Sequence, residues 1–396
     1  MSNGLSDKSV IHVSAWARMF TQFRMPLIRR QRESFGRVLL YCPPGEAEHV
    51  ARLKDEGFEV VAGAVSPRPG PAMLAEVMAL SAYLKKERFD VLVAHQPMGA
   101  LVGIPAGRLA GVPVKIYSTG GLKYSPDKKG VANLLMKYGE MGIIRLSDGV
   151  FLVNREDEAI LKTTPSARDK AFYVGPRGGC GVDTNAFNPE NRLKARAAAR
   201  REFGLDDGTF VIGYVGRLVW EKGFKEMAAA AEMIKARAPG KRSVFLVMGD
   251  GPEAPEIKEY VRQKGVSEHF MFGGYRFDPE TFMSAFDAFV LPSYREGLPV
   301  SLLEAMSLGL PCIATDIRGS RDLLAHGETG LLVPARDASG LAEAILSVMD
   351  GGDNSKLLGL KAAQFIKGNY DEEVLVDRLM RIIEGLTDAG RRAVLP

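Results

Sequence analysis

Two glutamates, Glu296 and Glu304, lie eight positions apart in "LPSYREGLPVSLLEAMSLGLPCIATD" (residues 291–316), with Gly297, Leu298 and Pro299 between them. Paired carboxylates suggest acid/base work, but Pro299 argues against it. Its fixed φ and missing N–H suit the first turn of a helix, so a helix is expected over Pro299–Leu308, stopping at Gly309 with Pro311 beyond. Glu296 then belongs to a loop and Glu304 to a helix, roughly 10 Å apart at about 1.5 Å of rise per helical residue. That is too far for a shared proton and generous for the carboxylates of a glycoside hydrolase, which stand roughly 5–9.5 Å apart. It does suit a ligand with a hydroxyl-rich group at each end and a diphosphate between. Backbone N–H groups near Leu298, Val300 and Ser301 would face phosphate, because a helix start has no internal acceptors for them. Carboxylates accept well from vicinal hydroxyls, so Glu296 is read against a sugar and Glu304 against a ribose diol, as in a nucleotide sugar. The plainer alternatives are an exposed loop carboxylate and the polar stripe of a helix. That stripe is narrow in "VSLLEAMSLGL", which favours a purposeful Glu304.

Two cations carry the complementary charge. Arg217 and Lys222 stand five positions apart in "GYVGRLVWEKG", flanked by Gly216 and Gly223. An arginine fork and a lysine point charge in one loop can hold a diphosphate from two sides; a solvated basic turn is the alternative. Two further glycine turns, "GDGPE" (249–253) and the Gly273–Gly274 pair in "FMFGGYRFD", allow a planar ligand near the backbone or serve as plain connections.

These loops must be held by strands, and the strand signals are plain. Short β-branched runs alternate with amphipathic stretches: Val10–Val13, Val38–Tyr41, Val60–Ala62, Val91–His95, Val114–Ser118, Val150–Val153 and Ala171–Gly175. A glycine-rich polar segment, Gly175–Asn191, reads as a linker. The alternation then restarts at Phe210–Val215, Val244–Met248, Phe270–Phe272, Ala288–Leu291, Pro311–Ala314 and Leu331–Val333. The expected fold is α/β: two doubly wound Rossmann-like domains facing each other across a cleft. Their expected ranges are 1–180 on the acceptor side and 181–375 on the donor side, with 376–396 as a terminal helix returning toward the first. In such sheets ligands bind beyond the carboxyl ends of the strands, where all the loops above lie.

Composition agrees with this class. The 396 residues are 46% hydrophobic and 25% charged. There is no apolar run of about 18 residues and no basic-then-apolar leader, and Cys42, Cys180 and Cys312 are scattered. The expectation is a cytoplasmic protein without structural metal and without a nucleic-acid partner. The net charge of +4 is uneven: residues 1–180 carry 25 Lys/Arg against 17 Asp/Glu, the remainder 27 against 31. The basic surplus peaks in "ARMFTQFRMPLIRRQR", where Arg18, Arg24, Arg29, Arg30 and Arg32 alternate with apolar residues. That stretch reads either as a peripheral contact with an anionic inner-membrane surface or as a helix with its apolar face in the core.

Taken together, "GRLVWEKG", "GDGPE" and "EGLPVSLLEAMSLGLPCIATDIRG" resemble the family-4 retaining glycosyltransferases of GT-B fold, most strongly from Phe210 to Pro334. The resemblance implies that Arg217 and Lys222 hold the donor diphosphate and that Glu296 contacts the transferred sugar. It places Glu304 on the ribose and the Gly274, Tyr275 and Arg276 backbone beside the base, with Gly297, Leu298, Pro299 and Val300 completing the donor site. It also implies anomeric retention with no metal and no cofactor, the cations replacing a divalent ion. "LPSYREGLP" and "TDIRGSRDL" look most like members that extend lipid-linked or capsular saccharides, often from UDP-N-acetylhexosamines. The expected partners are therefore a nucleotide-sugar donor and a saccharide or polyprenyl-diphosphate-saccharide acceptor. Two departures stand out. The family usually places a His-Gly pair after the fifth strand, whereas "IYSTGGLKY" has Gly120 there, leaving His95 and Lys123 as candidate acceptor-side substitutes, a buried, satisfied histidine being the plainer role for His95. After the first strand, "SAWARMF" replaces a common glycine pair.

Leaving-group stabilisation should dominate the chemistry, with same-face attack and the departing phosphate taking the acceptor proton. The rivals are a non-hydrolysing UDP-sugar epimerase and a nucleotide-sugar-binding protein without catalysis. A dehydrogenase and a P-loop kinase are disfavoured, since neither glycine fingerprint is present.

Overall fold

The computed structural model describes residues 5–124, 130–175 and 181–389. Cys180 and residues 176–180 of the expected linker lie outside that set. The chain divides into two compact units, 1–181 together with 372–396, and 182–371.

The first unit is built on seven parallel strands: β1 (Ser9–Val13), β2 (Arg37–Cys42), β3 (Glu59–Ala62), β4 (Val91–His95), β5 (Val114–Ser118), β6 (Gly149–Leu152) and β7 (Ala171–Tyr173). Their order is β3-β2-β1-β4-β5-β6-β7. The central strands are buried without alternation because helices cover both faces, and β4 and β5 are buried along their whole length. The order reverses between β1 and β4, which places the switch point of the sheet beside the ends of those two strands.

The second unit repeats the plan with β8 (Phe210–Val215), β9 (Ser243–Met248), β10 (Phe270–Gly274), β11 (Ala288–Leu291), β12 (Cys312–Thr315) and β13 (Leu331–Val333). The order is β10-β9-β8-β11-β12-β13, again all parallel, with its switch point between β8 and β11. Every strand expected from the pattern is present, with ends that differ by at most two residues.

Two helices differ from the expected boundaries. Pro189–Glu202 begins inside the segment read as linker, started by Asn188, whose side chain accepts from Asn191 N–H at 2.8 Å. Its apolar stripe is slight, and it is held by charge instead: Arg196 and the buried Arg200 both pair with Asp287. Arg200 also donates to the carbonyl oxygens of Thr209 and Ala285. The terminal helix Glu372–Ala389 belongs wholly to the first unit, from Glu372 rather than residue 376. Val376, Leu379, Met380 and Ile383 pack into one buried cluster with Leu27, Ile28 and Phe35, and Asp377 pairs with Arg30.

That cluster settles how the arginine-rich stretch is used. Met19, Phe20, Met25, Leu27 and Ile28 are interior, so the apolar face is in the core. Its arginines are committed within the protein: Arg18 to Glu46, Arg29 to Glu56, Arg30 to Asp377, and Arg32 over the Phe58 ring at 4.4 Å. Arg24 is buried. The apolar side chains of this stretch are thus interior, while Arg18, Arg29 and Arg30 remain about half exposed in surface ion pairs.

Candidate functional site

In the second unit the candidate residues gather at the β8/β11 switch point. β8 ends at Val215 and the chain enters the Arg217–Lys222 loop; β11 ends at Leu291 and the chain enters the Glu296 loop. Lys222 and Glu296 meet there: Nζ donates to Oε1 at 2.6 Å, with the two side chains only 12% and 13% exposed. Spacing along the chain gave no hint of this pair, because its members are 74 residues apart and are joined only by the strand order. Burial, reinforced by the nearby Glu296 charge, pushes the Tyr214 phenol well above its usual range. Tyr214 therefore remains a neutral donor, and its hydroxyl donates to the Arg217 carbonyl at 3.0 Å. Arg217 itself is 69% exposed and reaches Glu221 at 3.4 Å, a weak contact that leaves its fork toward solvent.

The loop is braced from outside the motif. Glu253 of "GDGPE" accepts the Trp220 N–H at 2.5 Å. Tyr294 N–H donates to the Glu221 carbonyl at 2.8 Å, while its hydroxyl donates to the Glu226 carboxylate. Arg336 lies over the Tyr294 ring at 4.5 Å. Gly223, at φ 80°, leaves room for one carbonyl: a Cβ there would stand 2.2 Å from Pro292 O.

The helix after Glu296 runs over Val300–Ser307, and Pro299 precedes it as the N-cap in extended conformation (φ −79°, ψ 112°). The expected helix thus loses its first and last residues, since a proline at ψ 112° is still outside the helix. Its first internal bond is Leu303 N–H to Pro299 O at 3.2 Å, so the N–H groups of Val300, Ser301 and Leu302 lack an intrahelical acceptor. Glu304 is buried on this helix among Leu302, Leu303, Ala305 and Met306. The Gly297–Leu298 backbone is pressed by Gly319: at φ 89°, a Cβ on Gly319 would stand 2.4 Å from Gly297 O. Ser293 and Ser320 flank this contact in sequence, and their buried hydroxyls have no hydrogen-bond partner among the described residues. Sequence reading missed both serines.

At the end of β10, Gly274 has φ 74° and its carbonyl accepts from Gly249 N–H at 2.7 Å, joining two of the glycine turns. Tyr275 and Phe277 form an exposed edge-to-face pair at 4.9 Å. The Arg276 side chain is engaged by Asp278 and Glu202, so this position offers backbone rather than guanidinium.

In the first unit the three acceptor-side candidates separate. His95 ends β4 and is buried in a continuous chain of hydrogen bonds. Arg24 Nε is 3.2 Å from His95 Nδ1, His95 Nε2 is 2.8 Å from His12 Nδ1, and His12 Nε2 is 2.7 Å from Gln31 Oε1. Arginine only donates, which fixes every proton in the chain: His95 accepts at Nδ1 and donates from Nε2, and His12 does the same toward Gln31. Burial pushes both rings down, His12 to about 4, with the Arg24 charge acting in the same direction. His95 is thus a buried, hydrogen-bonded histidine at the β1/β4 switch point. Its network reaches the end of β5 through Arg24 and Ser118 Oγ at 3.4 Å.

Gly120 lies in the loop just after β5, and a Cβ there would meet nothing within 4 Å. The loop around it is fastened by two buried carboxylates. Glu140 accepts from Lys123 N–H at 2.8 Å and from the Tyr117 hydroxyl at 3.1 Å. Asp157 accepts from Leu122 N–H at 2.9 Å. Lys123 thus contributes its backbone to this brace. Trp16 of "SAWARMF" lines a cavity of about 400 Å³ at the ends of β1, β2 and β3, together with Pro43, Val65 and Glu76.

Comparison with known proteins accounts for both units. Residues 195–372 match the family model "Glycosyl transferases group 1", and residues 21–176 match "Glycosyl transferase 4-like domain". The chain is 30% identical over 282 residues, 70% of either length, to the Escherichia coli UDP-Gal:alpha-D-GlcNAc-diphosphoundecaprenol alpha-1,3-galactosyltransferase. The chain belongs to the family-4 glycosyltransferases. A further relative of this glycosyltransferase is the Campylobacter jejuni N,N'-diacetylbacillosaminyl-diphospho-undecaprenol alpha-1,3-N-acetylgalactosaminyltransferase, 24% identical with 91% and 94% of the two chains aligned. Among solved structures, Anabaena Alr3699/HepE in complex with UDP and glucose superposes with a TM-score of 0.78 at 18% identity, covering 95% of this glycosyltransferase and 99% of that chain. The two parallel sheets are the two Rossmann-like domains of the GT-B fold.

Proposed function

We propose that this glycosyltransferase moves a hexosyl or N-acetylhexosaminyl group from a UDP-sugar to a saccharide carried on a polyprenyl diphosphate, with retention at the anomeric carbon, at the cytoplasmic face of a membrane. The observation that carries the donor half is the Lys222–Glu296 pair at the β8/β11 switch point, with Arg217 exposed at its mouth. A cation and a pure acceptor held together fit a diphosphate and the hydroxyls of its sugar. In the bound state Lys222 and Arg217 take the diphosphate, Glu296 accepts from the sugar, Glu304 accepts from the ribose, and Gly274–Arg276 lies along the base. The N–H groups at Val300 and Ser301 add to the charge that the leaving phosphate meets. With two fixed cations the site needs no divalent ion. Bond breaking leaves charge on the diphosphate, whose oxygen takes the proton of the incoming hydroxyl on the same face.

The acceptor half draws on the relatives, two of which are named for diphosphoundecaprenol-linked substrates. The UDP assignment draws on the galactosyltransferase name and the UDP complex of the structural neighbour. The test is a thermal-shift and hydrolysis screen with UDP-, GDP-, ADP- and dTDP-sugars in the presence of EDTA. Proton NMR then reports the anomeric configuration of the product. Stabilisation by UDP-sugars and an axial product are expected; an inverted product or dependence on added metal would overturn the mechanism.

A further inference from the structure

We propose that the projecting first half of the helix Val131–Leu146 docks this protein onto an anionic lipid bilayer. The inference rests on the lipid-linked acceptor reading above and names the surface that reading requires. Val131, Leu134, Leu135 and Tyr138 follow one another at i, i+3, i+4 and i+7, the spacing of a helix stripe that normally faces a core. Here that stripe faces outward: Val131 is 74% exposed, Leu135 68% and Tyr138 66%, with Leu134 and Met136 half-exposed beside them. Five large apolar side chains within eight residues are a patch rather than the scattered exposure of an ordinary surface. The helix turns inward only from Glu140, where Ile143 and Ile144 enter the core.

The charge on this helix selects the occupant. Its exposed charged residues among those described are Lys137 and Arg145, and its only carboxylate, Glu140, is buried. An apolar stripe with cations and no exposed acid fits the boundary between acyl chains and anionic headgroups. The arginine-rich Arg18–Arg32 stretch lacks the apolar stripe, its apolar face being interior, and its half-exposed cations are ion-paired. The docking helix is also tied to the chemistry. The Glu140 carboxylate that holds Lys123 N–H and Tyr117 Oη sits on it, so the element laid on the membrane also fixes the loop carrying Gly120.

Full-length protein is co-sedimented with vesicles of phosphatidylcholine alone and of phosphatidylcholine with phosphatidylglycerol, alongside analytical ultracentrifugation without lipid. Binding is expected only with the anionic vesicles, weakening as salt is added. Leu134→Glu/Leu135→Glu should lower the partition about tenfold or more. Leu357→Glu/Leu360→Glu, which alters exposed leucines of the second unit, should leave it unchanged. Wild-type protein that stays in solution with both vesicle types, or a Leu134/Leu135 variant that binds like wild type, overturns the proposal. A dimer in solution that the same variant dissolves also overturns it, by assigning the face to a second copy of the chain. Donor thermal shifts on the same samples separate the two claims: vesicle binding without donor binding supports docking and refutes the proposed reaction, whereas donor binding without vesicle binding refutes docking alone.

Discussion

Lys222→Met separates what the Lys222–Glu296 pair does for the fold from what it does for the reaction. The substitution keeps most of the side-chain length and removes the charge, leaving Glu296, 13% exposed, without its 2.6 Å partner. Breaking a fully buried pair from one side costs roughly 3–5 kcal/mol; with about an eighth of each side chain still in contact with water, about 2–3 kcal/mol is expected. For a unit of this size that is a fall in Tm of about 5–10 °C. Turnover should fall further, about 10²–10³-fold, because Lys222 also meets the charge that develops on the leaving diphosphate. Adding Glu296→Gln removes the stranded carboxylate, so the double variant should regain most of the lost Tm while its turnover stays low. Calorimetry and nucleotide release under single-turnover conditions read the two quantities separately. Turnover within threefold of wild type in Lys222→Met, or recovery of turnover together with Tm in the double variant, would refute the catalytic assignment and leave a structural ion pair.

Glu304→Ala should raise the donor Kd about tenfold or more while leaving the single-turnover rate at saturating donor within a few-fold, since a ribose contact is made equally in ground and transition states; calorimetric titration checks it. Gly319→Ala forces a Cβ to 2.4 Å from Gly297 O at φ 89° and should abolish donor binding before it unfolds the protein, whereas Gly120→Ala, with open space around it, should shift Tm by less than about 2 °C. The buried His12, at about 4, makes the first unit acid-sensitive. Between about 6.5 and 4 the unfolded chain holds a proton that the folded one does not, so stability falls as pH drops through that window, by roughly 3 kcal/mol from His12 alone. Thermal melts from pH 7.5 to 4.5 should show that slope, and His12→Asn should flatten it; an unchanged slope would contradict the neutral histidine chain.

The fold was legible because its signals are local. Most of the buried parallel strands announce themselves as short apolar, largely β-branched runs, and glycine turns follow several of them. The helix after Glu296 was legible for the same reason, although Pro299 stops one residue short of joining it. What escaped depends on partners far apart in sequence. Lys222 and Glu296 could each be singled out, but their pairing requires β8 beside β11. His95 could be singled out, but its partners could not, because only the strand order sets it against His12, with Arg24 and Gln31 completing the chain. Arg18–Arg32 and Val131–Tyr138 both carry apolar residues at helical spacing, with five arginines in the first and one lysine, Lys137, in the second. Packing decided between them, because Glu372–Ala389 covers the first and leaves the second exposed. The return of the terminal helix was expected, but periodicity does not show which side chains it covers.

The central claim is that the loops at the β8/β11 switch point hold a nucleotide sugar through Arg217, Lys222, Glu296 and Glu304. Its most direct measurement is titration of UDP-sugars into wild-type protein and into Lys222→Met, in EDTA. The account predicts binding to wild type without metal and a loss of at least tenfold in affinity or in the later transfer step on removing the lysine charge. Equal binding and equal transfer by both proteins, or no binding of any nucleotide sugar to wild type, would contradict it.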